Sequence, residues 1–161
     1  MITEQLLVIG NGMAGMACVD QILKRKPHFK ITVLSEEPYY NYNRILLSSV
    51  LAGEKSLSDI YINTQEWYAQ NNISLYLGAK AVDVDSKNKI VCTADDRSFP
   101  YDLLLLATGS NPFIPPMEGG NKKGVYTFRN LADTEKILDA CKTVKHAVDD
   151  LPGQAIQFLL H

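Results

Sequence analysis

Three closely spaced glycines in residues 10–15 constrain the fold of this 161-residue chain more than any other feature. They follow the short apolar run Leu6–Ile9, which is typical of a strand buried on both faces. A helical pattern then extends to about Lys26, and Lys30–Leu34 has the composition of a second strand. This order predicts a βαβ unit whose two strands lie parallel.

Each glycine has a distinct physical use if the turn binds a dinucleotide. Gly10 permits the tight turn out of the strand, and Gly12 lets a pyrophosphate approach the backbone. Gly15 lets the helix pack closely on the strand, while the helix N-terminus supplies N–H donors. Glu36, at the end of the second strand, is placed to accept hydrogen bonds from a ribose diol. The alternative is a chance glycine turn followed by a solvated glutamate.

The glycine turn does not distinguish NAD from FAD, since both contain an ADP moiety. The sequence after residue 62 bears on which of the two is bound. After a third strand at Ile73–Leu77, which follows a short helix capped by Asn63, the sequence alternates in short segments. These segments are Ala79–Asp85, Lys89–Thr93 and Arg97–Tyr101. They predict an antiparallel meander inserted into a parallel sheet. The apolar strand Leu103–Leu106 then ends in Ala-Thr-Gly at residues 107–109.

This layout resembles the FAD domain of the two-dinucleotide flavoprotein reductases. Residues 35–49 (SEEPYYNYNRILLSS) and 107–112 (ATGSNP) resemble the branch of that family containing rubredoxin and ferredoxin reductases, in particular the FAD region of the large subunit of NAD(P)H-dependent nitrite reductases. The resemblance extends over residues 5–148. It implies an α/β, Rossmann-like FAD-binding domain with an inserted antiparallel β-meander.

The cofactor-binding residues follow from the glycine pattern and from this resemblance together. They are Gly10, Asn11, Gly12, Met13, Ala14, Gly15, Glu36, Glu37, Asn43, Arg44, Ser48, Ala81, Ala107, Thr108 and Gly109. The resemblance implies that Glu36 and Glu37 flank the adenosine ribose and that Ala81 offers backbone contact to the adenine. It also implies that the turn at residues 107–109 passes close to the flavin nucleotide. Arg44 would reach the phosphate or ribose region, as suits a planar cation beside an anionic cofactor. No catalytic residue is assigned, and no metal site is expected.

The resemblance also gives an expected domain plan. Residues 1–116 would form the FAD module, 117–148 a connector and helix leading to an NAD(P)H domain, and 149–161 a tail unlike the family. The family has a second glycine-rich loop where this chain has Asp149-Asp150-Leu151-Pro152-Gly153. Two carboxylates would repel a pyrophosphate, and Pro152 lacks an N–H donor. We therefore expect a fold incomplete relative to the two-dinucleotide flavoproteins, with NAD(P)H bound only through a missing domain or a partner chain.

Composition limits the classes of partner and the cellular location that we expect for this chain. Lys and Arg total 16 against 18 Asp and Glu, which gives a net charge of −2 with no basic block. We therefore expect neither nucleic acid nor membrane as a partner. The start of the chain lacks the basic region of a signal peptide, and the three cysteines suggest no disulfide framework, so the expected location is cytoplasmic.

A last predicted helix, at residues 131–142 with Asn130 as its cap, bears on assembly. Its apolar residues Leu131, Ile137, Leu138 and Cys141 would lack a domain to pack against. We therefore expect self-association or a partner chain that supplies the missing half.

Two classes of function remain open at this point. The first is an FAD-dependent oxidoreductase component that passes electrons in a nitrite-reductase-like system and is not competent alone. The alternative is a non-catalytic flavin-binding remnant or partner subunit, or an NAD-binding Rossmann module.

Overall fold

A computed structural model of the chain describes residues 4–25 and 28–144, and the backbone of residues 147–149 and 157–160. The chain divides into two compact units. The first comprises Met1–Asn43 and Tyr61–Gly109, and the second comprises Arg44–Ile60 and Ser110–His161. Lys26 and Pro27, where the first helix was expected to end, lie outside the described residues.

The first unit is built on a four-stranded parallel sheet of β1 (Glu4–Ile9), β2 (Phe29–Leu34), β3 (Ser74–Tyr76) and β7 (Leu103–Leu106). The strands lie in the order β3-β2-β1-β7. Helix α1 (Met13–Lys24) connects β1 to β2, and the short helix α3 (Gln65–Gln70) precedes β3. Thr64 is the N-cap of α3, so the expectation that Asn63 caps this helix is wrong. The predicted parallel βαβ unit is confirmed.

The apolar run of β1 lies at the centre of this sheet between β2 and β7. Leu7 and Val8 are 1% and 0% exposed, because their alternating side chains enter the cores on the two faces of the sheet. Met16 and Val19 of α1 complete the core on one of these faces. This packing fixes the carboxyl end of β1, from which the glycine-rich turn begins.

The predicted meander forms a separate three-stranded antiparallel sheet in the same unit. Its strands are β4 (Ala81–Asp85), β5 (Ile90–Thr93) and β6 (Ser98–Pro100). Fully buried Val91 of β5 packs in one cluster with Leu7 and Leu34 of the parallel sheet. The expected fold class, a parallel sheet with an inserted antiparallel meander, is confirmed.

The second unit contains helices and a small three-stranded antiparallel sheet in which the last strand of the chain lies in the middle. Its helices are α2 (Leu47–Leu51), α4 (Leu131–Cys141) and the 3₁₀ turns Arg44–Leu46 and Ser58–Ile60. Its strands are β8 (Val125–Thr127), β9 (Ala147–Asp149) and β10 (Gln157–Leu160). Neither β8 nor β10 was predicted from the sequence.

Helix α4 corrects one of the expectations about assembly. Asn130 caps it as predicted, since the Asn130 side chain accepts a hydrogen bond of 2.8 Å from the Asp133 N–H. Leu131 and Ile137, however, are 0% and 1% exposed, because α4 packs against α2 and β8. The prediction that these two side chains lack a packing partner is therefore wrong.

Strand β7 has the predicted apolar sequence and is partly exposed. Leu103 and Leu106 are 45% and 64% exposed. The physical reason is its place at the edge of the four-stranded sheet, where β1 is its only partner among the residues that the structure describes. No helix in the described part of the chain is long and apolar enough to cross a membrane.

Candidate phosphate-binding loop

The first glycine of the turn is required by the fold itself. Gly10 has a φ of +114°, which L side chains rarely adopt, and its N–H donates to the carbonyl oxygen of Leu34 at 2.9 Å. A Cβ atom added to Gly10 would lie 2.1 Å from the carbonyl oxygen of Ala107. The ends of β1, β2 and β7 therefore meet at this residue as closely as glycine permits.

The third glycine is likewise fixed by packing. A Cβ atom on Gly15 would lie 2.5 Å from the carbonyl oxygen of Gly10 and 3.1 Å from the Cβ of Ala107. The first turn of α1 therefore rests directly on the turn that precedes it. This contact brings the N-terminus of the helix to the carboxyl edge of the parallel sheet, where open α/β sheets bind their ligands.

The second glycine has no such requirement within the protein. Gly12 is the N-cap of α1 with φ −85° and ψ 179°, a conformation open to any residue. A Cβ atom added there would meet none of the described atoms within 4 Å. The absence of a side chain at Gly12 therefore leaves open space above the N-terminus of α1, as the approach of a bulky anion would require.

The first turn of α1 offers donors to that space. The first amides of any α-helix have no acceptor within the helix, and here no described side chain caps them. The first turn contains no acidic residue, and both Met13 and Ala14 are exposed. The helix dipole adds partial positive charge at the same place. These features suit a phosphate or pyrophosphate group.

Asn11 is placed differently from its neighbours in the loop. Its side chain is buried, accepting a hydrogen bond from the Tyr68 hydroxyl at 2.7 Å and donating one to the Tyr39 carbonyl at 3.3 Å. The Asn11 side chain is thus used inside the protein. If Asn11 contributes to a ligand site, its backbone N–H would do so, because its carbonyl oxygen accepts a hydrogen bond of 2.9 Å from Asn41 Nδ2.

The two acidic candidates follow β2. Glu36 forms an ion pair with Lys80, with 2.8 Å between Oε1 and Nζ, and the side chains are 66% and 57% exposed. Such an exposed pair is weakly bound and leaves the carboxylate able to accept hydrogen bonds from hydroxyl groups. The Glu37 carboxylate accepts a hydrogen bond of 2.6 Å from the Tyr42 hydroxyl. Glu36 is therefore the more accessible of the two acceptors.

The remaining candidates of the first unit lie on its two sheets and their connections. The N–H of Ala107 donates to the Ile9 carbonyl oxygen at 2.8 Å, which ties the end of β7 to the end of β1. Thr108 and Gly109 follow in exposed positions, with Gly109 at a φ of +73°. Ala81 opens β4 and is half-buried. Residues 107–109 are therefore brought together with the glycine turn.

The other candidates lie at or beyond the boundary of the second unit. Asn43 is the last residue of the first segment of unit one, whereas Arg44 and Ser48 belong to unit two. Arg44 donates from Nη1 to the Arg129 carbonyl oxygen at 3.0 Å, and Arg129 donates from Nη2 to the Ser110 hydroxyl at 2.6 Å. Arg129 is a cation that the sequence pattern did not single out. The roles of Asn43, Arg44 and Ser48 stay predictions.

The parallel sheet, the glycine turn and the helix together define the Rossmann-like class of α/β proteins. Within that class, the chain belongs to the family described as pyridine nucleotide-disulphide oxidoreductase, whose profile matches residues 4–148. The family resemblance found in the sequence is thereby confirmed. Among the described residues, no group of three His, Cys, Asp or Glu side chains could hold a metal ion.

Individual relatives place the chain within this family. It is 50% identical over 145 residues to a nitrite reductase [NAD(P)H] of Bacillus subtilis, covering 89% of this chain and 18% of that protein. It is 43% identical to an assimilatory nitrate reductase electron transfer subunit of the same organism, covering 89% of this chain and 19% of that protein. The crystal structure of NADH:rubredoxin oxidoreductase from Clostridium acetobutylicum aligns with a TM-score of 0.77 at 28% identity, covering 88% of this chain and 36% of that one.

These relatives are oxidoreductases by name, and their similarity to this chain is confined to part of each protein. The chain spans less than a fifth of the two Bacillus subtilis relatives, at 18% and 19% of their lengths. The comparison therefore identifies a nitrite-reductase-like module of the family.

Proposed function

We propose that this chain is an FAD-binding module of an NAD(P)H-dependent, nitrite-reductase-like flavoprotein oxidoreductase. The observation that supports it most directly is the contrast among the three glycines. Gly10 and Gly15 are required by close contacts within the protein, whereas Gly12 faces open space at a helix N-terminus. A glycine without an internal reason, at that place, fits a ligand that approaches the backbone.

The proposed roles follow from the positions of the residues. The exposed first turn of α1 would donate backbone hydrogen bonds to the pyrophosphate of FAD, with Gly12 allowing the approach. Glu36 would accept hydrogen bonds from the adenosine ribose, and Ala81 would offer backbone contact to the adenine. Thr108 and Gly109 would border the flavin nucleotide from the end of β7. Arg44 would supply positive charge to the phosphate or ribose region, as the family resemblance implies.

FAD is favoured over NAD by the meander between β3 and β7 and by the family of the relatives. When bound, FAD supplies the ability to accept a hydride and to release electrons to a further acceptor. The relatives bear the names nitrite reductase [NAD(P)H] and electron transfer subunit. We propose the same electron-transfer class for this chain, with NAD(P)H held by another domain or by a partner chain.

Assembly with a second chain is also part of the proposal. After the correction at α4, its support is the edge strand β7, whose Leu103 and Leu106 are 45% and 64% exposed. Exposed leucines on a sheet edge to which no other described strand is paired favour self-association or a partner chain. Light scattering between about 1 and 100 μM should show a rising mass or complex formation with a partner. A constant monomer mass would argue against self-association.

Binding measurements with a series of nucleotides test the proposed cofactor. Isothermal titration of the apo-protein should show FAD binding, weaker ADP binding, and FMN binding at least about a hundredfold weaker than that of FAD, because FMN lacks the ADP moiety. NAD bound more tightly than FAD would support the NAD-binding alternative instead. The failure of all four ligands to bind would refute the proposal and favour a remnant without cofactor.

A further inference from the structure

The peptide bond between Asn11 and Gly12 is oriented by a residue from another segment. The side-chain Nδ2 of Asn41 donates a hydrogen bond of 2.9 Å to the carbonyl oxygen of Asn11. That carbonyl and the N–H of Gly12 belong to one planar peptide unit, which is trans as in the rest of the described chain. In a trans peptide the two groups point in opposite directions. Asn41 therefore turns the Gly12 N–H away from the protein interior.

Asn11 is also anchored through its side chain. The Tyr68 hydroxyl donates to Asn11 Oδ1 at 2.7 Å, and Asn11 Nδ2 donates to the Tyr39 carbonyl oxygen at 3.3 Å. Asn11 is thus bound at three atoms, by partners in the segment after β2 and on α3. Rotation of the peptide between Asn11 and Gly12 would break the hydrogen bond from Asn41, and the two side-chain hydrogen bonds hold in place the residue to which that peptide belongs.

Burial strengthens these contacts. Asn41, Tyr68 and Asn11 are 1%, 3% and 9% exposed, so water competes little for their hydrogen bonds. Burial also raises the pKa of Tyr68 to about 12, so the hydroxyl stays protonated, and therefore a donor, even at alkaline pH. The Tyr68 ring is held between Trp67, with ring centroids 5.1 Å apart, and Tyr40, at 6.1 Å.

We propose that Asn41 and Tyr68 are positioning residues that fix the Gly12 amide as a donor to the cofactor pyrophosphate. This inference rests on the proposed function and names two residues that were not among the binding residues expected from the sequence. A donor that is already oriented binds an anion without the cost of ordering the loop. The hydrogen-bond network of Asn11, Asn41 and Tyr68 therefore contributes to ligand affinity in addition to its contribution to the stability of the fold.

The variant Tyr68→Phe tests the proposal because it removes one oxygen and leaves the ring in place. Its matched control is Tyr40→Phe, which removes an exposed hydroxyl bonded to Gln65 Oε1 at 3.2 Å, outside the network. We expect the Kd for FAD to rise about tenfold in Tyr68→Phe and to stay within about twofold in Tyr40→Phe. Equal values for the two variants would overturn the proposal.

The choice of ligand separates positioning from general loosening of the fold. The affinity for ADP, which contains a pyrophosphate, should fall about tenfold in Tyr68→Phe, whereas that for adenosine should not change. Equal losses for ADP and adenosine would indicate a structural role only and would overturn the proposal. Asn41→Ala should show the same ADP-selective loss of affinity. Urea unfolding gives the folded fraction of this variant, and its affinities are calculated for that fraction.

The variant Gly12→Val distinguishes failure of this inference from failure of the proposed function. If Gly12→Val binds FAD as well as the wild type does, the loop is not the phosphate site and both proposals fail. If Gly12→Val loses FAD while Tyr68→Phe retains it, only the positioning role fails. We expect both variants to lose affinity, Gly12→Val by the larger factor.

Discussion

Substitution of Gly12 separates the requirements of the fold from those of a ligand. Gly12 has an ordinary backbone conformation, with φ −85° and ψ 179°, and no described atom lies within 4 Å of an added Cβ. Gly12→Ala and Gly12→Val should therefore leave the apo-protein folded. The side chain of valine would occupy the space through which a pyrophosphate reaches the first turn of α1.

The expected change in stability is small because two effects oppose each other. Replacing glycine reduces the freedom of the unfolded chain, which stabilises the protein by about 0.4–1 kcal/mol. An apolar residue at an N-cap is less favourable than glycine by roughly 0.5–1 kcal/mol. The free energy of unfolding should therefore change by less than about 1 kcal/mol, which corresponds to a shift in Tm of at most about 4 °C for a chain of this size.

The expected change in binding is much larger. Each charge-assisted hydrogen bond that is lost costs about 1.5–3 kcal/mol, or about ten- to a hundredfold in affinity. Loss of one or two such bonds should weaken FAD binding by about a hundredfold or more in Gly12→Val, with a smaller effect in Gly12→Ala. Quenching of flavin fluorescence gives the Kd, and urea unfolding of the apo-protein gives the stability.

Two results would refute this reasoning. FAD binding by Gly12→Val within about threefold of the wild type would show that the open space at Gly12 is not where the pyrophosphate binds. A loss of more than about 3 kcal/mol in apo-protein stability would show that the fold itself requires glycine at this position.

Further predictions concern the supports of the site and the two units. Gly10→Ala should destabilise the protein by at least about 2 kcal/mol in urea unfolding, because its Cβ would lie 2.1 Å from the Ala107 carbonyl oxygen; unchanged stability would contradict the tight packing of the turn. Asn130→Ala should cost about 1 kcal/mol and lower the Tm, since it removes the cap of α4; an unchanged Tm would show that the capping hydrogen bond contributes nothing. Hydrogen bonds from Arg97 and then Thr93 lower the pKa of Asp95, so its contribution to stability is present at neutral pH and is lost as the pH falls below about 4. Asp95→Asn should therefore reduce the loss of stability between about pH 5 and 2, and an identical pH profile would contradict this.

The parts of the fold that were predictable from the sequence have strong local patterns. The apolar run of β1, the glycine turn and α1 indicate a buried strand and a helix by their own periodicity, and the structure has them at Glu4–Ile9 and Met13–Lys24. The meander was predictable because alternation with period two and turn residues recur at short intervals. The cap of α4 was predictable because Asn130 stands directly before an amphipathic helix.

Other features depend on contacts that no local pattern encodes. Strands β8 and β10 are short, at 3 and 4 residues. Their pairing joins residues 125–127 to residues 157–159, which are distant along the chain, so no local pattern indicates it. The exposure of Leu103 and Leu106 depends on the edge position of β7, which is a property of strand order. The four leucines of β7 would equally suit a central strand, so the sequence alone does not indicate the edge position.

For the candidate site, the sequence indicated the loop but not its internal division of roles. All three glycines match one motif, and only the geometry shows that Gly10 and Gly15 avoid clashes whereas Gly12 faces open space. The network around Asn11 was out of reach as well, since Tyr68 lies 57 residues away along the chain. A tyrosine on a short helix gives no signal of a contact to the glycine loop.

The visible spectrum of the reconstituted chain tests the central claim most directly. The purified 161-residue protein is incubated with excess FAD, passed through a desalting column and measured between about 300 and 550 nm, with FMN treated in parallel as the control. We predict the two absorption bands of oxidised flavin in the protein fraction after FAD and none after FMN, because only FAD contains the ADP moiety that the glycine loop would bind. A colourless protein fraction after FAD, at concentrations above 100 μM and with the fold intact, would contradict the assignment of this chain as an FAD-binding module.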